Sequence, residues 1–195
     1  MGRWGIVALA ALAVMGTACS PGSAEPATSD EASTSATQTP RITDDSGRPP
    51  VTFDPCYDIP DDVMNAAGYD AGKKEVADMP MGTYTFLGCT YRDSNKVPDI
   101  RRGYSLNVLA GNVSLDEELE NNGHVATAVT VNERRALLEI DPNRNNTCKY
   151  VLETEFGIVM FTRILHTERT GYAPVEEWCA DLEGLVAAVE GHIPS

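Results

Sequence analysis

The sequence is poor in positive charge and in histidine. Its 195 residues carry 15 Lys and Arg against 29 Asp and Glu, a formal net charge of −14. A chain this acidic repels polyanions and anionic head groups at long range, so we expect no nucleic-acid partner. The three histidines, His124, His166 and His192, lie far apart in the sequence, and we interpret each as a surface group.

The short motifs that mark common enzymes are also missing. There is no G-x-S-x-G, S-x-x-K, H-E-x-x-H or Walker loop. Residues 141–145 match the opening of a calcium loop, but position six is Asn146 and position twelve is Leu152, so the bidentate carboxylate is lacking. We interpret this stretch as a polar loop between strands. Four acids near the first predicted helix are interpreted as solvated: Asp54, Asp58, Asp61 and Asp62. The sequence therefore predicts no catalytic, cofactor-binding or metal-binding residue.

A pronounced hydrophobic run occupies residues 4–18, directly after Arg3. A helix that crosses a bilayer needs about 20 apolar residues, and this run is shorter. It ends in small residues, as signal peptides do before their cleavage site. We therefore predict a signal peptide over residues 1–18.

Cys19 follows this run at once. A cysteine directly after small residues is typical of bacterial lipoproteins, in which it is acylated and becomes the new N-terminus. The pattern predicts lipidation of Cys19 and places the chain on the extracytoplasmic face of the plasma membrane. The alternative is ordinary cleavage after Ala18 or Ala24, with Cys19 incidental.

Residues 19–52 are rich in Ser, Thr, Ala and Pro, and Ile42 and Val51 are their only large aliphatic residues. Such a segment cannot bury enough apolar surface to fold. We predict a disordered tether over residues 19–52 and a single domain over residues 53–195.

Four cysteines remain in the predicted domain: Cys56, Cys89, Cys148 and Cys179. An even number in an exported chain predicts two disulfides. No C-x-x-C is present, so zinc binding and thiol redox chemistry have little support. The count alone leaves three pairings open.

Several short motifs occur together at the start of the domain. Asp54-Pro55-Cys56 follows the Ser/Thr-rich tether, a short helix is predicted over residues 59–67 and ends at Gly68, and Cys89-Thr90-Tyr91 lies on a predicted strand. This combination resembles the actinobacterial lipoproteins grouped as domain of unknown function 3558. The resemblance implies an extracytoplasmic protein with an α+β fold, and it supplies no catalytic residues.

Alternation of apolar residues predicts strands over residues 84–92 and 104–110. Two hairpins should follow: residues 125–131 with 134–141 through Asn132-Glu133, and residues 147–155 with 158–165 through Phe156-Gly157. Tyr84 and Phe86 face away from Cys89, so they form an exposed aromatic patch unless a helix covers them.

Two further helices have clear signals. Ser114 and Glu117 form a capping box that starts a helix ending near Asn121, before Asn122-Gly123. The last helix should begin at Pro174 and run as one piece, with these residues on its buried stripe: Val175, Trp178, Cys179, Leu182, Leu185, Val186 and Val189.

The disulfide pairing follows from the direction in which the predicted strands and the last helix point their cysteines. Cys148 shares a strand face with Tyr150 and Leu152, and it points at the layer that the last helix would cover. We therefore expect Cys148 to pair with Cys179, and Cys56 to pair with Cys89.

Together, these patterns predict an α+β domain: an antiparallel sheet of about six strands, a C-terminal helix packed on one face, and two disulfides. For function, they favour a non-enzymatic domain that binds a small ligand or an envelope protein, anchored to the membrane by lipid. The alternatives are a carboxylate-based cell-wall hydrolase and a purely structural spacer.

Overall fold

The computed structural model describes residues 42, 46–94, 100, 102–144, 146–166 and 171–195. Contacts divide the chain into two units, Met1–Gln38 and Thr39–Ser195, and every described residue belongs to the second unit. The predicted signal peptide, Cys19 and most of the predicted tether lie outside the described residues. In the part that is described, no helix has the length and hydrophobicity needed to cross a bilayer.

The elements of the domain are short, and strands dominate. In chain order they are α1 (Asp61–Ala66), β1 (Tyr69–Val76), β2 (Met79–Met81), β3 (Tyr84–Asp93), β4 (Tyr104–Gly111), α2 (Leu115–Asn122), β5 (Ala126–Val131), β6 (Arg134–Glu139), β7 (Thr147–Thr154), β8 (Gly157–Leu165), α3 (Val175–Trp178) and α4 (Leu182–Glu190).

The strands form one antiparallel sheet in the order β1-β3-β4-β8-β7-β6-β5, and β2 also pairs with β3. The described residues therefore contain eight strands instead of about six. Strands β1 and β2 were not predicted from the sequence. Strand β1 contains Gly72 and several charged side chains, and its register with β3 shifts between Asp70 and Glu75. That irregularity removes the alternation by which strands are recognised.

The first face of the sheet carries the main core. It buries Tyr91, Leu106, Cys148, Leu152 and Phe161 completely or nearly so. Helices α1, α3 and α4 lie on this side, and α4 contributes Leu182, Leu185, Val186 and Val189. The prediction of a C-terminal helix packed on one face is confirmed.

The second face carries a smaller apolar cluster under α2. Phe86 packs there with Leu115, Leu137 and Ile158. A helix therefore covers Phe86, which was one of the two outcomes expected from the sequence. Gly111 lies opposite Phe86 in the ladder, and a Cβ atom at Gly111 would overlap the Phe86 ring.

The structure contains both disulfides, Cys56–Cys89 and Cys148–Cys179. These are the pairs that the predicted faces favoured. Cys89 lies on β3 and Cys148 on β7, so each bond ties a segment outside the sheet to a strand.

The last helix is not continuous, contrary to the prediction. It is split into α3 and α4, and Asp181 between them has a left-handed φ of 53°. Arg163 on β8 is fully buried and donates to the carbonyl of Ala180 in this break and, at 3.0 Å, to the Tyr69 hydroxyl. Val175, at the start of α3, is exposed, although the helical pattern predicted it to be buried.

The hairpin turns are close to the predicted ones. Asn132 and Glu133 connect β5 to β6 with φ values of 46° and 74°, the conformation of a two-residue hairpin loop. The second turn is shifted by one residue, because Thr154 pairs with Gly157 and the loop is Glu155-Phe156. Gly157 has φ 142°, and a Cβ atom there would overlap the carbonyl oxygens of Gly111 and Val113.

Ordered contacts begin before residue 53, within the predicted tether. Arg48 contacts α2 through Glu117, and Val51 packs against the main core. The domain that the structure describes therefore includes residues from the end of that tether.

Candidate functional site

The residues singled out from the sequence do not converge on a site. His124, His166 and His192 are all exposed. Among the acids near α1, Asp61 binds Lys74 at 2.6 Å and Asp58 accepts from the backbone N–H of Asp54 at 2.6 Å. Within the described ranges, no group of three or more His, Cys, Asp or Glu side chains could hold a metal ion.

The most distinctive surface lies on the second face, where α2 meets the end of the sheet. On β6, every second side chain points to this face, namely those of Arg135, Leu137 and Glu139. Leu137 is buried in the cluster under α2, and a charged group flanks it on each side. The candidate site consists of these three side chains and their neighbours.

An apolar groove lies over Leu137, with a volume of about 440 Å³. Three elements line it: α2, β5 and β6. The lining residues are Leu115, Leu119, Ala128, Val129, Thr130, Arg135, Ala136 and Leu137. Leu119 on α2 is 40% exposed, and Ala128 and Thr130 are also exposed. We call this feature the α2–β5 groove.

Arg135 closes one end of the groove. Its guanidinium binds Glu153 at 2.6 Å and Asp116 at 3.2 Å. One cation is therefore shared by two carboxylates. Exposed pairs of this kind contribute little to stability, so their main effect here is on the local charge.

At the other end, Lys149 on β7 lies between Glu118 and Glu139. Its Nζ is 2.6 Å from Oε2 of Glu139 and 3.1 Å from Oε1 of Glu118. Asn122 also donates to Glu118, at 3.0 Å. We call these three charged residues the Glu118–Glu139–Lys149 cluster. Their ion pairs connect α2 to β6 and β7.

Glu139 is the unusual member of the cluster. It is only 5% exposed, and its Oε1 has no hydrogen-bond partner among the described residues. Burial raises the pKa of Glu139 above its usual value, and the neighbouring Glu118 carboxylate adds to the rise, while Lys149 opposes it. Burial lowers the pKa of Lys149, but its hydrogen bonds to both carboxylates outweigh that effect and raise it.

A polar row continues from this cluster across the sheet. Lys149 pairs with Thr162, Thr162 with Asn107, and Asn107 with Thr90, whose hydroxyl lies 2.7 Å from the Asn107 amide oxygen. These side chains are partly exposed. This row separates the apolar cluster under α2 from the rest of the second face.

Two other cavities include polar side chains in their linings. One, of about 160 Å³, lies beside Arg48, Asn112 and Ser114. The other, of about 590 Å³, lies between the hairpin turns around Glu133, Arg134 and Glu155. Arg134 already binds Glu190 at 2.7 Å and the carbonyls of Glu153, Ile193 and Pro194. The contacts of Arg134 hold the C-terminal residues in place.

Sequence reasoning missed the groove and the Glu118–Glu139–Lys149 cluster. One signal was present, because strict alternation along β6 places Glu139 on the same inward face as Leu137. The partner residues come from α2 and β7, however, and their meeting depends on how α2 crosses the sheet. That crossing is not encoded in any local pattern.

Taken together, the fold and its surface define a disulfide-bonded α+β domain with an apolar groove at one end of its sheet. The chain matches the model of the family described as "Protein of unknown function (DUF3558)" over residues 14–192, and it belongs to that family. No curated protein and no solved structure matches the chain.

Proposed function

We propose that this chain is a lipid-anchored envelope protein whose domain binds a partner protein at the α2–β5 groove. The anchor is lipidated Cys19, which holds the domain at the outer face of the plasma membrane. The apolar run at residues 4–18 and the cysteine after it support this location.

The observation that carries the binding role is the uncovered α2–β5 groove. Single exposed apolar side chains are common, but Leu119 lies over an apolar floor formed by Leu137 and adjoins Ala128, so the exposed apolar surface here is continuous. A partner that covers Leu119 and the adjoining β5 residues would remove this apolar surface from water.

Binding has more support than hydrolysis. A carboxylate-based hydrolase needs two acids facing an open cleft with room for substrate. Lys149 binds both Glu118 and Glu139. The cavity of about 590 Å³ is lined by Glu133, Glu153, Glu155 and Glu190, but Arg134 binds Glu190 and Arg135 binds Glu153, so two of these four acids are already held in ion pairs.

The location is tested by the intact mass of the chain purified from its native host. We expect a chain that begins at Cys19 and carries acyl groups, and loss of membrane association in a Cys19→Ala variant. A non-acylated chain beginning at Glu25 would rule out the anchor.

The binding role is tested by site-specific photocrosslinking in the native host. A photoreactive phenylalanine analogue would replace Leu119 in the groove, and Tyr57 in a control variant. Tyr57 is 57% exposed and lies close in sequence to Cys56, which is bonded to β3 near the opposite end of the sheet. We expect a discrete adduct only at position 119. Equal labelling at both positions, or none, would contradict a binding role for the groove.

A further inference from the structure

The two ends of the sheet are protected to very different degrees. At one end, β1 carries Asp70, Lys73, Lys74 and Glu75, and its ladder with β3 is irregular. Charges and bulges of this kind prevent another strand from pairing with an edge. At the other end, β5 has the sequence Ala-Thr-Ala-Val-Thr-Val, which contains no charge and no proline.

The outer side of β5 can accept a strand. In the described residues, no strand pairs with that side. The carbonyl of Val125 accepts from Ile140, so the alternation of an antiparallel ladder directs Thr127, Val129 and Val131 toward β6. The N–H and C=O groups of Ala126, Ala128 and Thr130 then point outward.

The groove lies beside these outward groups. Ala128 and Thr130 line it with Leu119, so a strand added to β5 would place alternate side chains next to Leu119. Backbone pairing would give affinity, and the groove would select apolar or β-branched residues at every second position.

The charge around the groove favours a basic partner. Its two flanking cations, Arg135 and Lys149, are each shared by two carboxylates. Glu120 on α2 and Glu133 in the β5–β6 turn are also exposed. The local excess of acid matches the net charge of −14 of the whole chain.

We infer that β5 binds an extended segment of a partner protein by strand addition, and that this segment is apolar at alternate positions and carries basic residues. This inference rests on the proposed binding role of the groove and specifies how the partner binds. A second copy of the chain would offer the same free edge, but it would bring two acidic surfaces together.

The probe is the peptide acetyl-Lys-Val-Thr-Val-Thr-Val-Lys-amide, added to the full chain purified from its native host. We expect the amides of Ala126, Ala128 and Thr130 to gain protection from hydrogen exchange. Those of Thr127, Val129 and Val131 should change little, because they are already bonded to β6. Replacing both terminal lysines with glutamate should weaken binding at least ten-fold, and added salt should weaken binding of the lysine peptide.

Two comparisons separate strand addition from other modes of binding. A peptide N-methylated at alternate amides cannot complete the ladder and should bind at least ten-fold more weakly to the unmodified protein. Ala128→Pro should have the same effect, whereas Tyr57→Ser, at the exposed control position near the opposite end of the sheet, should bind normally. If N-methylation and Ala128→Pro have no effect while Leu119→Ser abolishes binding, the groove binds without strand addition and the inference is wrong.

Two further results would show whether the groove binds a partner at all and whether that partner is a second copy of the chain. If Leu119→Ser and Ala128→Pro leave peptide binding unchanged, and the photoreactive residue at position 119 gives no discrete adduct, the proposed function of the groove fails as well. If sedimentation shows a dimer in which the same three amides are protected without peptide, the occupant is a second copy, and the inference of a basic partner segment is overturned.

Discussion

Arg48 binds Glu117 through both arms of its guanidinium, with Nη1 3.0 Å from Oε2 and Nη2 2.8 Å from Oε1. The same guanidinium lies 4.3 Å from the centre of the Tyr84 ring. Glu117 also completes the capping box of α2 by accepting from the N–H of Ser114. The end of the predicted tether is therefore joined to the helix that forms one wall of the groove.

The first prediction concerns Arg48→Ala. Hydrogen bonds from Arg48, followed by those from Ser114, lower the pKa of Glu117 from 4.5 to about 2. A carboxylate with a lowered pKa stabilises the fold above its ordinary pKa, and this contribution is lost as the pH falls toward 2. The variant should lose part of that acid dependence, measured by urea unfolding between pH 6 and 2. Arg92→Ala, in the exposed pair with Glu75, is the control. An unchanged acid dependence in Arg48→Ala would contradict this role.

The second prediction concerns Lys149→Met. Without the ammonium group, Glu118 and Glu139 face each other, so we expect a loss of about 3 kcal/mol in the free energy of unfolding at pH 7. The pKa of Glu139, already raised by burial, should rise further. A carboxyl group with a raised pKa costs stability as the pH climbs above its ordinary value, so the loss should be smaller at pH 5. Urea unfolding at both values tests this, with the exposed Lys73→Met as control. An equal loss at both pH values would contradict the expected proton uptake.

The third prediction concerns the Cys148–Cys179 bond, which joins β7 to the break between α3 and α4. The two cysteines are 31 residues apart. On the chain-entropy model, the double variant Cys148→Ala/Cys179→Ala should lose about 3 to 4 kcal/mol of stability. The measurement is the urea midpoint of the oxidised proteins, with Cys56→Ala/Cys89→Ala as the matched variant. An unchanged midpoint would show that the break is held by other contacts.

The fourth prediction concerns Arg163. Its side chain is fully buried, and its neighbours are the Tyr69 hydroxyl, the Ala180 carbonyl and, at 5.9 Å, the Tyr104 ring. Lysine cannot reach two separate acceptors as the planar guanidinium does, so Arg163→Lys should cost about 2 kcal/mol. Thermal unfolding tests this, with the exposed Arg144→Lys as control. Equal melting temperatures for the two variants would contradict the assigned role.

Much of the fold was predictable because it depends on local signals. Ser114 and Glu117 identify the start of α2, and Asn132-Glu133 identifies the first hairpin. The alternation around Cys148 and Tyr150 was enough to choose the disulfide partners.

The errors arise where distant residues override a local pattern. From Trp178 to Leu182 the apolar spacing remains helical, yet the chain breaks there and Arg163, from another element, donates to the carbonyl of Ala180. In β1, charged side chains hide a strand whose place is fixed by its pairing with β3. The candidate site was missed for a related reason, because Leu119, Leu137 and Lys149 come from three elements whose contact depends on the complete fold.

The close contact between Phe86 and Gly111 has a consequence for sequence change. Any side chain at position 111 would occupy the space of the Phe86 ring, so larger residues there require a smaller one at position 86. The ring also belongs to the cluster that supports α2. Within the family, the two positions should therefore vary together, and members that lose the aromatic ring should compensate in the residues beneath the helix.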